Sequence, residues 1–311
     1  MKYRILAPVA ALAVALAWLM MGCDREQSAT DDPEVQMTDQ EALELLFLDD
    51  LEMEGADIWG GEGEFDGGGG LDEPITPLHW ARLGHRGNAF IHVDIRGDSM
   101  ATIVRHLDFH GVFRIVSDTT DTSFTLIDKP MHNVLVRKAR AVRVAHTPRP
   151  RLNWRIVAIT PEVLHSSDPN PHTIWPVHAS IHRRGAEGLE PVAEIHDPLE
   201  TWLHRENLPT VHPEDELLVF VNANRPGAFG VLHPHVHHLG RGGRLPLRDD
   251  GVLPDETAHD GIYTGSYIAG PRLGLHLVGI DLIDWMTLFD SEAPYDAGGW
   301  GVPYRVVPPE R

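Results

Sequence analysis

Apolar and polar positions along this chain follow three successive patterns. An unbroken apolar run extends from Ile5 to Met21, preceded by Lys2 and Arg4. In "TDQEALELLFLDDLEME", apolar Leu43, Leu46, Phe47 and Leu51 then recur every three or four residues, which predicts an amphipathic helix. Thr38 followed by Glu41 forms a capping box that starts it. Its stripe needs a cover, either the first globular domain or a partner protein of the envelope. From Thr76 onward the period shortens to two. "NAFIHVDIRGDSMATIVRHLDFHGVFRIV", "VLVRKARAVRVA" and "NWRIVAITP" read as strands joined by turns, with Arg96–Asp98 as a hairpin turn.

Ser, Asp, Asn and two prolines interrupt this pattern in "HSSDPNPH", His165–His172, which marks a boundary. Beyond it, "TIWPVHASIHR", "DELLVFVNANRP", "FGVLHPHVHHLG", "GRLPL", "DGIYTGSYIAG", "LGLHLVGIDLID" and "WGVPYRVV" are short runs separated by Gly, Pro and Asp, the spacing of a sandwich. The expected fold is therefore mainly β. Residues 76–168 form an antiparallel α+β domain, a curved sheet plus a helix, and residues 171–308 form a β-sandwich.

Charge changes the picture at the N-terminal end. The formal net charge is −20, but residues 24–75 hold eighteen acids and one base, whereas residues 76–311 hold twenty-eight acids and twenty-three bases. With "GGEGEFDGGGG" in its middle, the stretch 23–75 reads as a solvated acidic tether carrying one short helix. The glycines are no phosphate loop, because carboxylates surround them and no strand-to-helix context frames them. Nucleic acid is excluded as a partner, since the body offers no basic excess to displace counterions.

The first pattern also has a chemical reading. A positive start, an apolar run and "MMGC" resemble a bacterial lipoprotein signal, in which residues 1–22 are removed and Cys23 is acylated. Cys23 is the only cysteine, and lipidation accounts for an unpaired thiol in an exported chain. The resemblance implies a membrane-anchored, extracytoplasmic protein of the bacterial envelope.

Four aspartates crowd "RDDGVLPDETAHDGIYTG". Asp250-Gly251 and Asp260-Gly261 suit tight turns at positive φ, while Asp side chains bond to amides two residues onward. On that account Asp255→Asn should do little. The alternative is calcium held by Asp249, Asp250, Asp255 and Asp260, although EF-hand spacing is absent. The stretch resembles immunoglobulin-like modules of bacterial surface proteins, where "DDG" precedes "DGIYTG" entering a strand; this implies turn residues in an immunoglobulin-like β-sandwich. The helix, long hairpins and closing "WRIVAI" strand of the middle segment are similar to the cone-shaped domains of the nuclear-transport-factor-like superfamily.

Twenty histidines offer a second chemistry. Residues i, i+2 and i+4 of a strand share a face, so His106, Asp108 and His110 could line a ligand pocket or meet zinc, and His233, His235 and His237 could meet zinc. Equally, Ala101, Ile103, Leu107, Phe109 and Phe113 occupy the opposite parity, which makes the histidine face the solvated side of a half-buried strand. No "HExxH", Walker loop, "CxxC" or "GxSxG" occurs. Trp154, Trp175, Trp202, Trp285 and Trp300 read as packing residues.

The sequence thus points to a non-catalytic binding, scaffolding or envelope-assembly role. No cofactor is called for by its motifs, and the candidate ions are calcium and zinc. The alternatives are a ligand-binding or enzymatic cone domain and a surface metal-binding protein.

Overall fold

The computed structural model describes residues 37–49, 61–64, 76–120, 123–234 and 244–309. The protein is mainly β, and among the described residues every strand pair is antiparallel except that of β10 (Thr210–Val211), which runs parallel to Arg305–Val306. Among the described residues no helix is long and apolar enough to cross a membrane.

Three strands of 21 residues each, β2 (Thr76–Arg96), β3 (Met100–Thr120) and β4 (Ser123–Arg143), form a meander. At about 3.3 Å per residue, each reaches roughly 70 Å. The expected hairpin turn joins β2 to β3, with Gly97 at φ 61°. Ala101, Ile103, Leu107, Phe109 and Phe113 are all buried, as their parity demands. The strands exceed their apolar patterns because glycines that look like breaks are accommodated within them. Gly84 pairs with Gly111, and a Cβ on Gly111 would stand 2.0 Å from the Leu83 carbonyl oxygen. A register shift between Arg86 and Ala89 absorbs Gly87 as a bulge.

Helix α1 (Asp39–Asp49) covers one end of this meander. The Thr38 hydroxyl caps the Glu41 amide while Glu41 Oε2 accepts from the Thr38 amide at 2.7 Å, so the capping box is closed in both directions. Leu43 and Phe47 are fully buried among Ile103, Ala139, Ala141, Trp154, Ile156 and Ile159. The described part of the stripe, Leu43, Leu46 and Phe47, is therefore covered by the protein's own sheet, and Leu51 lies outside the described residues. Asp39 reinforces the seat by accepting from Arg143 and from Trp154 Nε1. Within the stretch expected to be a tether, β1 (Gly61–Glu64) pairs with His79–Arg82 of β2.

The second half of β4 pairs with β5 (Trp154–Ile159), whose other edge takes β9 (Leu203–His204), and the middle of β4 pairs with β6 (Glu162–Ser166). Strand β6 in turn pairs with β16 (Ala297–Val306), followed by β15 (Gly274–Asp284), β12 (Ala228–His233) and β13 (Leu245–Leu247). One sheet therefore runs from the meander into the C-terminal half, continuing on both sides of the interruption at His165–His172. A second sheet, β14 (Ile262–Ile268), β11 (Glu216–Ala223), β7 (Pro176–Gly185) and β8 (Gly188–Ile195), packs against it in a sandwich-like arrangement. Their shared core joins Ile181, Val219, Val221 and Tyr267 to Val278, Ile280, Trp300 and Val302. Strand β8 carries no strand signal in the sequence, because "GLEPVAEI" is exposed along most of its length and lacks an apolar face.

A second cluster unites Trp80, Phe113, Met131 and Leu135 with Val231, Ile283, Phe289 and Tyr295. Beside it lies a polar knot. Arg82 donates to both carboxylate oxygens of Asp281 and to the Tyr295 hydroxyl, and both charged side chains are fully buried.

Candidate functional site

The antiparallel register of β3 and β4 sets His110 directly opposite His132, so both side chains leave the sheet on the same face. Their rings stack with centroids 4.0 Å apart. Asp108, two residues earlier on β3, lies diagonally across from His132 and reaches it, with Oδ1 3.2 Å from Nε2. One donor atom from each of Asp108, His110 and His132 lies within 4.8 Å of the others. Strand β2 makes room for the group. At the bulge, a Cβ on Gly87 would stand 3.1 Å from Asp108 Cβ and 3.4 Å from His110 Cδ2.

His132 is held from behind by the segment after β6. Its Nδ1 lies 2.7 Å from the Asp168 carbonyl oxygen, which can only accept, so Nδ1 carries a proton. Its backbone amide donates to Asn170 Oδ1, and Asn170 Nδ2 donates to the Pro130 carbonyl. "HSSDPNPH", which reads as a boundary, is thus the brace for the site.

This tautomer has a chemical consequence. In a neutral ring, protonation at Nδ1 leaves a lone pair at Nε2, and that lone pair faces a carboxylate oxygen. The contact is attractive only if a cation sits there, either a second ring proton or a metal ion. Tetrahedral zinc, with bonds of about 2.0–2.1 Å, separates its ligand atoms by roughly 3.3 Å. The Asp108–His132 separation is of that size. A backbone carbonyl fixing the far nitrogen is also how metal-ligating histidines are commonly oriented.

The sequence paired Asp108 and His110 with His106, and the structure brings in His132 instead. His106 shares their face but stands opposite Val136, outside the group. Only the hairpin register reveals His132, since "KPMHN" carries no metal motif. Histidines continue along the face. Ring centroids of His85 and His110 lie 6.5 Å apart, and His165 stacks on His172 at 5.0 Å. Burial, aided by His172, His106 and His132, pulls the pKa of His165 down to about 4, so it is neutral at physiological pH.

The remaining sequence candidates sit elsewhere. His233 is buried with Nε2 3.3 Å from Asp281 Oδ2, part of the Arg82 knot, and burial lowers its pKa. His235 and His237 fall outside the described residues, as does Cys23. The four aspartates of "RDDGVLPDETAHDGIYTG" all point at backbone amides. Asp250 Oδ1 accepts from Val252 and Asp260 Oδ1 from Ile262, each two residues onward. Asp249 accepts from Asp260 and Gly261, while Gly251 and Gly261 adopt φ of 72° and 85°. Asp255 departs from expectation. It is 3 % exposed and accepts from the Gly251 amide at 2.6 Å, so it is a buried tie rather than a replaceable surface acid. Trp154 and Trp300 are buried, whereas Trp175 is partly exposed beside His172.

No protein-family model, curated protein or solved structure matches the chain.

Proposed function

We propose that this is a lipid-anchored, extracytoplasmic protein of the bacterial envelope whose β-rich body binds a divalent transition metal, zinc by ligand type, at Asp108, His110 and His132. The His132 geometry carries the reading, with Nδ1 committed to the Asp168 carbonyl and Nε2 facing Asp108 Oδ1 at 3.2 Å. Two imidazoles and one carboxylate match the hard-to-borderline donor set of zinc, and three protein ligands leave a fourth position for water or a partner's side chain. The immunoglobulin-like character of the sandwich rests on the "DDG…DGIYTG" pattern, and the anchor rests on "MMGC". Both support a surface module that presents the site away from the membrane.

The test is zinc titration of the full chain against a chromogenic chelator. His132→Ala and Asp108→Asn should each remove one bound ion or weaken it at least tenfold. Unchanged stoichiometry and affinity in both variants would overturn the assignment.

A further inference from the structure

The second sheet carries the same donor set in a different place. We propose that His178 on β7, Glu194 on β8 and His196 just beyond β8 form a second, solvent-open transition-metal site.

Strand register builds it from three neighbours. Ala179 pairs with Ile195, which sets His178 alongside His196 and leaves Glu194 on the same side. The two rings stack with centroids 4.5 Å apart. One carboxylate oxygen, Glu194 Oε1, faces both imidazoles, 3.4 Å from His178 Nε2 and 3.3 Å from His196 Nε2. All three donor atoms lie within 4.8 Å of one another. On the other side of β7, Asn222 of β11 pairs with His178, and its Oδ1 lies 3.1 Å from His178 Nδ1.

An amide oxygen accepts, so the proton of neutral His178 sits on Nδ1. Nε2 then offers a lone pair, and it is buried without a hydrogen bond despite the nearby carboxylate. Two nitrogen atoms converging on a single anionic oxygen at 3.3–3.4 Å reproduce two edges of the roughly 3.3 Å ligand tetrahedron expected around zinc. Asn222 plays the positioning part that the Asp168 carbonyl plays at His132. The sites differ in exposure. Glu194 and His196 are 65 % and 71 % exposed, so this ion is open to water and to exchange.

Zinc titration of the full chain decides the matter, with folding checked by circular dichroism. Two ions per chain are expected. His196→Ala, whose exposed side chain has little packing to lose, should remove one ion and keep the ion bound by His132. Asn222→Ala should weaken the same ion by roughly 10–100-fold without abolishing it. Cobalt in place of zinc should give a tetrahedral visible band that His196→Ala diminishes. If the His196→Ala and His178→Ala variants bind zinc as the parent does, the second site is overturned. A single ion lost only on His132→Ala overturns it while leaving the first site standing. A single ion lost only on His196→Ala supports it and overturns the first.

Discussion

Replacing Asp281 with asparagine removes one charge from the knot that ties β2 to β15. In the parent, Arg82 donates to both Asp281 oxygens, at 2.5 and 2.9 Å, and to Tyr295 at 2.8 Å, with neither charged side chain exposed. Burial opposes ionisation of Asp281, but the Arg82 charge and the hydrogen bonds from His233 and Arg82 outweigh it, holding the carboxyl well below the usual carboxylate range. Arginine stays charged in proteins, so Asp281→Asn leaves a buried guanidinium without its counter-charge. Breaking a buried pair in this way costs about 3–5 kcal/mol. Asparagine keeps the volume and one acceptor, which places the expectation near the lower end, about 3 kcal/mol. The measurement is urea unfolding of the parent and variant at pH 7.5. The double variant Arg82→Met/Asp281→Leu should recover most of the loss, since well-packed apolar groups often replace such pairs at little cost.

The pH dependence has a definite sign. A carboxyl depressed in the folded state stabilises above its unfolded pKa, about 3.9, and that contribution is lost as pH falls further through the folded value. The gap between parent and variant should therefore be constant from pH 5 to 8 and narrow below about pH 4. A loss under about 1 kcal/mol at pH 7.5, or a gap that widens in acid, would refute the account of a dry, paired Asp281.

Gly261→Val should destabilise the protein by about 1–3 kcal/mol, because φ of 85° opposes a β-branched residue even though no atom lies within 4 Å of a new Cβ; equal melting temperatures for variant and parent would contradict this. Cys23→Ala should abolish fatty-acid labelling and release the protein from membranes, and a variant that stays membrane-bound would remove the anchor from the proposal.

Local physics made much of this protein legible before any coordinates. The Thr38–Glu41 capping box, the Leu43–Phe47 stripe, the parity of Ala101 through Phe113 and the Asp-Gly turns at 251 and 261 depend on neighbours a few residues away, and each takes the form its pattern implies. The full length of the long strands is hidden for the same reason, since Gly84, Gly87 and Pro130 look like breaks until a partner strand accommodates them. What tertiary structure alone decided is which distant residues meet. His132 joins Asp108 and His110 through hairpin register, His178 joins Glu194 and His196 through the pairing of β7 with β8, and Arg82 finds Asp281 across 199 residues. Nothing in composition or periodicity encodes those meetings, because a strand slipped by one residue against its partner would remain a strand yet turn its own side chains to the opposite face, parting His132 from His110 or His178 from His196.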